Sequence, residues 1–215
     1  MIKIAPSILS ADFSNLQEEI IKIDQAGADY IHIDIMDGHY VPNISFGSGM
    51  IQSIRPHSKK EFDVHLMIQN VDNFIKDFVS AGADNISFHP ETSKDPVQTI
   101  NFIKSLNCKA GLAIHPDIEV SLIKNYIHLV DRIIVMTVVP GFGGQKFIKS
   151  QISKIFDLNE IKKKQDLKFE IEVDGGIDII TSKICIDKGA NVLVAGSYIF
   201  NSKKNDYKKL IDTLR

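Results

Sequence analysis

The chain has 215 residues, and 44% of them are hydrophobic, which fits one large domain with a substantial core. Its formal net charge is −2 and its pI is near 6.4, so it has no overall positive field with which to hold nucleic acid or an anionic membrane surface. We therefore expect neither nucleic acid nor a membrane as a partner. An anionic small molecule would need local recognition groups.

The two cysteines, Cys108 and Cys185, lie far apart and outside any C-x-x-C pair. This spacing argues against a disulfide scaffold, a zinc ribbon and a redox dithiol, and predicts two reduced thiols in the core. The first ten residues contain no basic leader followed by a long apolar stretch, and no run reaches the ~18 apolar residues of a membrane span. A cytoplasmic location is the resulting expectation.

Short apolar runs rich in β-branched residues alternate with longer helical patterns, eight of each, and no linker separates two halves of the chain. The predicted strands cover residues 3–9, 30–35, 61–67, 85–89, 109–114, 132–137, 168–173 and 191–195. Eight such repeats are typical of a closed barrel. We therefore predict an α/β fold in which residues 1–215 form a single (β/α)8 TIM barrel domain.

Helix boundaries are indicated at several points along the chain. Ser14, with Gln17 three residues later, is expected to cap the first helix. The phrase A-G-A-D at residues 26–29 recurs at residues 81–84, each time ending a helix with glycine and leading into a strand. Residues 42–56 contain only a brief helical pattern, so a long loop there could cover a site at the barrel mouth.

A doubly wound open sheet also alternates strands with helices and is the alternative architecture. Its dinucleotide-binding turn, G-x-G-x-x-G, should follow the first strand. Residues 7–13 contain no glycine, so the sequence argues against dinucleotide binding.

Four potential metal ligands lie in or at the end of three predicted strands. His32 and Asp34 are two residues apart and point the same way in a strand, while His65 and Asp174 end two other strand patterns. Because strand ends face one end of a barrel, we expect the four to converge there. Two imidazoles and two carboxylates suit Zn, Fe, Mn or Co better than Mg, but this ligand set does not distinguish among those four metals. The alternative, buried polar residues satisfied by their neighbours, explains four such positions less well.

Three glycine-rich segments follow the sixth, seventh and eighth predicted strands. They read P-G-F-G-G-Q at residues 140–145, D-G-G-I at 174–177 and A-G-S at 195–197. Backbone amides in such loops can hold a phosphate, particularly at a helix N-terminus, and the last two loops of a barrel are its usual phosphate site. These segments favour a small phosphorylated substrate over a metal-dependent hydrolase, although residues 140–145 could also form only a flexible turn.

Five segments, in order and over essentially the whole chain, resemble the ribulose-phosphate 3-epimerase family. They are A-P-S-I-L-S-A-D-F from residue 5, H-I-D-I-M-D-G-H-Y-V-P-N from 32, D-V-H-L-M from 63, V-M-T-V-V-P-G-F-G-G-Q-K-F from 135 and V-D-G-G-I from 173. The resemblance implies a TIM barrel with a ribulose-phosphate site at its C-terminal face. It also implies an isomerase of the pentose phosphate pathway that interconverts D-ribulose 5-phosphate and D-xylulose 5-phosphate, one divalent metal cation per subunit, and a homo-oligomer.

The resemblance also implies residue roles. It assigns the metal to His32, Asp34, His65 and Asp174, with Asp34 and Asp174 as the two acid/base groups that invert C3 through a 2,3-enediolate. Contacts with the sugar phosphate are implied for Ser7, His65, Gly141, Phe142, Gly143, Gly144, Asp174, Gly175, Gly176, Gly196 and Ser197. A thioether layer around the metal pocket is implied for Met36, Met67 and Met136, for which ordinary core packing is the alternative.

Two other functions stay open. An epimerase of a six-carbon substrate such as allulose 6-phosphate would share every ligand. The second alternative is a non-catalytic barrel that binds metal or sugar phosphate. Such a protein would not need acids at the ends of two separate strands, so it explains the sequence less well. Four of the other five histidines, His39, His57, His89 and His128, have no partner at an informative spacing, and we expect surface or loop positions for them.

Overall fold

The computed structural model describes residues 1–201 and 206–215. Its eight parallel strands form one nearly closed sheet: β1 Lys3–Pro6, β2 Tyr30–Met36, β3 Glu61–Met67, β4 Asn85–Phe88, β5 Lys109–Ile114, β6 Arg132–Met136, β7 Glu170–Asp174 and β8 Val192–Ala195. Consecutive strands pair from β2 to β8, and β8 returns to pair with β1. A single parallel bridge between Ser7 and His32 links the end of β1 to β2. The predicted (β/α)8 TIM barrel is confirmed.

The α-helices of the described residues surround this sheet. They are α1 Leu16–Gln25, α2 Ser48–Ile54, α3 Ile75–Ala81, α4 Pro96–Ser105, α5 Ile152–Lys164, α6 Thr181–Asp187, α7 Ser197–Phe200 and α8 Tyr207–Thr213. The connection from β5 to β6 contains two 3-10 helices instead, Val120–Ile123 and Ile127–Leu129, because β-branched and aromatic residues there weaken the preference for an α-helix. Within the described ranges, no helix has the length and apolar character needed to cross a membrane.

The start of α1 differs from the prediction. The helix begins at Leu16, because the Asp12 carboxylate accepts hydrogen bonds from both the backbone N–H and the hydroxyl of Ser14 and holds a 3-10 turn there. The cap predicted at Ser14 is therefore wrong. The glycine-terminated turns are present, with Gly27 at φ 90° and Gly82 at φ 112°, in the left-handed region that glycine occupies without strain.

The outward face of the strands packs against the helices and forms an apolar shell. Its buried strand residues include Ile31, Ile33, Phe62, Val64, Leu66, Ile86, Phe88, Ile133, Val135, Ile171 and Leu193. The helices contribute residues such as Ile20 and Ile23 of α1. Cys108 and Cys185 are free and buried in this shell, as predicted.

The inward face of β2, β3 and β7, together with Arg132 of β6, forms a polar interior. At its centre the guanidinium of Arg132, which is only 1% exposed, reaches across the barrel to Asp63 Oδ1 at 2.5 Å and Glu61 Oε1 at 3.2 Å. The same guanidinium lies 2.8 Å from Glu170 Oε2 and 3.2 Å from Glu172 Oε2. One buried cation thus faces four carboxylates, and burial followed by repulsion from Asp63 raises the pKa of Glu172 to about 7.

Candidate active site

The four predicted metal ligands meet at the C-terminal ends of β2, β3 and β7. Asp34 Oδ1 lies 3.3 Å from His32 Nε2 and 3.3 Å from His65 Nδ1. Asp174 Oδ2 lies 3.9 Å from His32 Nε2 and 3.8 Å from His65 Nδ1. One ligand atom of each residue lies within 4.8 Å of the other three. The cluster could therefore hold one metal ion.

The electrostatics of the cluster also fit a divalent cation. Burial alone would raise the pKa of Asp34, but the adjacent His32 and His65 hold that pKa well below its ordinary value. Burial, and then the neighbouring Asp34 carboxylate, raise the pKa of Asp174 well above its ordinary value. A divalent cation between the two carboxylates would offset their repulsion, and the mixed nitrogen and oxygen donors suit a first-row metal.

A carboxylate fixes the orientation of His32. Its Nδ1 lies 2.8 Å from Asp63 Oδ2 and 3.3 Å from Glu172 Oε1, so Nδ1 donates its proton to Asp63 and Nε2, the nitrogen near Asp34, is the one that could bind a metal. Burial opposes the charged imidazole, yet Asp34 and Asp63 together raise the pKa of His32. His32, Asp63 and Glu172 are also close enough to hold an ion, but the guanidinium of Arg132 already pairs with both acids.

His65 has a different partner, which sequence reasoning missed. Its Nε2 lies 3.1 Å from Nε2 of His89, a fully buried residue just beyond β4. Burial, and then the neighbouring His65, hold the pKa of His89 well below its ordinary value, so the ring is neutral. His89 does lie in the loop after β4, as one of the two expectations had it, but a surface position for it is wrong because it is fully buried. The signal was its position two residues after Ser87 and four after Asn85, on the inward face.

An open cavity lies at the C-terminal ends of the strands, with about 530 Å³ of atom-free space that includes solvent at its mouth. The predicted site residues in its lining are Ser7, Asp34, Met36, Met67, Met136, Gly141, Phe142, Gly143, Gly144, Asp174, Gly175, Gly176, Gly196 and Ser197. His32 and His65 are outside the lining but contact Asp34. The other lining residues were not predicted as substrate contacts, although three of them lie in the predicted glycine-rich segments (Pro140, Gln145 and Ile177); the rest are Leu9, Ser10, Val138 and Val194.

Hydrogen bonding and packing hold the cavity wall around the cluster of histidines and aspartates. Ser7 Oγ donates to Asp34 Oδ2 at 2.6 Å and holds this carboxylate against the two imidazoles. Met36 and Met67 pack together with Val41, and Met136 packs in a second buried cluster. The methionines therefore pack in the core and also line the cavity.

Glycine is required in the loop that follows β7. Gly176 has φ 65°, and a Cβ there would lie 2.7 Å from the backbone nitrogen of Phe147. The Thr137 hydroxyl donates to the Gly175 carbonyl at 2.6 Å and ties this loop to the end of β6. The two loops therefore form one packed wall of the cavity.

The other two predicted loops differ in their relation to helices. Residues 140–145 do not lead directly into a helix, since the next helical turn begins at Lys149, whereas Gly196 immediately precedes α7. Across the cavity mouth, Asn43 Nδ2 donates to the Gly141 carbonyl at 2.8 Å. The segment between β2 and α2 thus reaches the loop that follows β6.

Solved structures share the fold at low sequence identity. KGPDC from Streptococcus mutans superposes with a TM-score of 0.74 at 13% identity, covering 100% of this chain and 97% of that one. A mutant tryptophan synthase α-subunit from Pyrococcus furiosus gives a TM-score of 0.71 at 13% identity, covering 100% and 98% of the two chains. These likenesses support the barrel architecture alone.

Sequence comparisons are more specific. The model of the ribulose-phosphate 3 epimerase family matches residues 3–200. Ribulose-phosphate 3-epimerase of Bacillus subtilis (strain 168) is 46% identical over 218 residues, covering 100% of this chain and 99% of that protein. The chloroplastic ribulose-5-phosphate-3-epimerase of Arabidopsis thaliana is 42% identical over 216 residues, covering 100% and 76%. With its barrel and its cluster of histidines and aspartates, the chain belongs to the ribulose-phosphate 3-epimerase family.

Proposed function

We propose that the chain interconverts D-ribulose 5-phosphate and D-xylulose 5-phosphate by exchanging the C3 proton with Asp34 and Asp174. The observation that carries the proposal is that two carboxylates from separate strands face one cavity beside two buried imidazoles, in a chain of this family. Relatives named ribulose-phosphate 3-epimerase support this choice of substrates.

Inversion at C3 needs one group that removes a proton from one face and another that delivers a proton to the opposite face. The two carboxylates suit this task because their surroundings push their pKa values apart, lowering that of Asp34 and raising that of Asp174. Without a bound metal, Asp34 is therefore ionised and Asp174 is the carboxyl group that holds a proton more readily. Reaction in the opposite direction exchanges the two roles.

His32, Asp34, His65 and Asp174 would hold one divalent cation per subunit, either Zn, Fe, Mn or Co. When bound, such a cation supplies positive charge that stabilises the developing 2,3-enediolate. Ser7 orients Asp34 through its 2.6 Å hydrogen bond. The three methionines of the wall would exclude water from the reacting carbon.

The glycine-rich loops that follow β6, β7 and β8 would bind the phosphate of the substrate. Their residues Gly141, Phe142, Gly143, Gly144, Gly175, Gly176, Gly196 and Ser197 all line the cavity. Backbone N–H groups in such loops bind phosphate without a fixed positive charge. This binding would orient the sugar with C3 between the two carboxylates.

Three broader proposals accompany this function. Residues 1–215 form one domain, which is supported by the membership of all eight strands in one sheet. The protein forms a homo-oligomer, which is supported by exposed apolar side chains near the cavity mouth, including Ile44 and Phe142. A cytoplasmic location is consistent with two free, buried cysteines.

The decisive experiment measures deuterium incorporation at C3 from D2O, with D-ribulose 5-phosphate and the metal-loaded protein. We expect exchange together with formation of xylulose 5-phosphate, and loss of epimerisation in Asp174→Asn. Asp117→Asn is the matched control, since its side chain is 89% exposed. Turnover of allulose 6-phosphate alone would reassign the substrate, and binding of phosphate without any C3 exchange would support a non-catalytic barrel.

A further inference from the structure

We propose that His89 is a positioning residue of the metal centre. By accepting a hydrogen bond from His65, it fixes the ring orientation and the tautomer in which Nδ1 of His65 faces the two carboxylates. This inference rests on the proposed role of His65 as a metal ligand. It gives a function to a buried side chain that takes no part in the proton transfer.

The distances around His65 show which of its ring nitrogens would bind the metal and which one donates to His89. Nδ1 is the nitrogen near the carboxylates, 3.3 Å from Asp34 Oδ1 and 3.8 Å from Asp174 Oδ2. A nitrogen that binds a metal carries no proton, so the ring proton of His65 must be on Nε2. Nε2 lies 3.1 Å from His89 Nε2, a distance at which one nitrogen donates and the other accepts. His65 is therefore the donor and His89 the acceptor.

The surroundings of His89 favour the tautomer that accepts. With Nε2 unprotonated, its proton is on Nδ1, which is buried and makes no hydrogen bond within the described residues, so electrostatic attraction has to offset the cost of that unpaired donor. The carboxylate oxygen Oε1 of Glu91 lies 3.8 Å from that Nδ1 and attracts a proton there. The ring is also held in place, because it packs against Tyr40 with ring centroids 4.7 Å apart and against His65 at 5.1 Å. Tyr40 is held in turn, since its hydroxyl donates to Glu91 Oε1 at 2.8 Å.

The two imidazoles of the metal cluster are thus supported in different ways. His32 donates from Nδ1 to the carboxylate of Asp63, whereas His65 donates from Nε2 to a neutral imidazole. Without His89, the Nε2–H of His65 would be buried without a partner, and the ring would lose the contact that opposes its rotation. The metal site would then become weaker even though all four ligands are present.

The test compares two substitutions. His89→Gln keeps an acceptor, because the amide oxygen of glutamine can occupy the place of Nε2, whereas His89→Leu fills similar volume without an acceptor. Metal-free protein is titrated with Co2+ against a competing chelator, and the visible absorption of bound Co2+ reports its ligands. We expect His89→Leu to lose roughly 10- to 100-fold in Co2+ affinity, the usual cost of removing such a partner, and His89→Gln to recover most of the loss.

Two further measurements separate positioning from packing. Thermal unfolding of the metal-free variants reports packing alone, and 15N spectra of the His65 ring report which nitrogen carries the proton. We expect Nε2 to carry it in the parent and in His89→Gln. His128→Gln is the matched control, because His128 is exposed and lies outside the cavity lining. We expect this variant to bind Co2+ like the parent.

Several results would overturn the inference. They are equal Co2+ affinity in all variants, equal losses in His89→Leu and His89→Gln, a His65 proton on Nδ1, or a parent that does not bind Co2+. The proposed epimerase function fails by a different result. A parent that binds Co2+ through this cluster but does not exchange the C3 proton contradicts that function while leaving the role of His89 intact.

Discussion

The two faces of strand β3 divide structure from chemistry. Its outward residues Phe62 and Leu66 are fully buried in the apolar shell, where each such side chain stabilises the fold by about 1.5 to 3 kcal/mol. Its inward residues Asp63 and His65 are equally buried but contact Arg132, His32 and Asp34 instead. Alternate residues of one strand therefore hold the barrel together and position its site. Substitutions on the two faces should have separable effects.

The largest effect on activity is expected at the C-terminal end of the polar interior, where Asp174 lies. Asp174→Asn removes one of the two proton-transferring groups and should lower kcat/KM by between about 10² and 10⁴. It also removes repulsion with Asp34, so the metal-free variant should unfold at a temperature equal to or above that of the parent. Steady-state kinetics and thermal unfolding test the two parts. If Asp174→Asn were much less stable than the parent, this inward residue would also stabilise the fold, and the division between a structural outward face and a chemical inward face would not apply to it.

A structural effect of comparable size is expected deeper in the interior. Arg132→Met removes the buried cation that pairs with Asp63 and Glu172 and leaves these two buried acids without it, whereas Lys109 and Lys3 still pair with Glu61 and Glu170. We expect the free energy of unfolding to fall by about 3 to 5 kcal/mol, as when one partner of a buried ion pair is removed. Urea denaturation measures this change. An unchanged midpoint would mean that the interior charges do not stabilise the barrel.

The polar interior should also make stability depend on pH. Burial, and then Asp63, raise the pKa of Glu172 from 4.5 to about 7 in the folded chain. The stabilisation from its protonated form is complete below about pH 4.5 and is lost as the pH rises through about 7. From about pH 5 to pH 8, metal-free parent should lose about 2 kcal/mol more than Glu172→Gln. Parallel urea curves for both proteins would contradict this assignment.

The smallest effect is expected in the apolar shell. Ile133→Val removes one buried methyl group next to Arg132 in sequence but on the opposite face of β6. We expect a loss of about 0.5 to 1.5 kcal/mol in the free energy of unfolding. Its kcat/KM should equal that of the parent, because Ile133 does not line the cavity. A clear loss of kcat/KM in Ile133→Val would show that a change in the apolar shell transmits strain to the site.

Sequence patterns were sufficient for the barrel and for the residues at its mouth. The two-residue spacing of His32 and Asp34, and the strand-end positions of His65 and Asp174, are local properties that survive folding unchanged. The first helix cap was mispredicted because Ser14 competes with Asp12 for the same turn. The sequence does not reveal which of two nearby polar side chains accepts the hydrogen bond from a backbone N–H.

The partners of these residues were decided by the tertiary structure. Arg132 meets Asp63 because β6 and β3 face each other across a closed barrel, and sequence separation carries no information on that contact. His89 meets His65 because the register of β3 against β4 sets His65 beside Ser87, and His89 extends the same inward row. The sequence by itself determined the strands, the alternation of their faces and the four candidate ligands, because these depend on neighbouring residues. Closure and register decided which charges and rings support the ligands, because those contacts join segments that are distant in the chain.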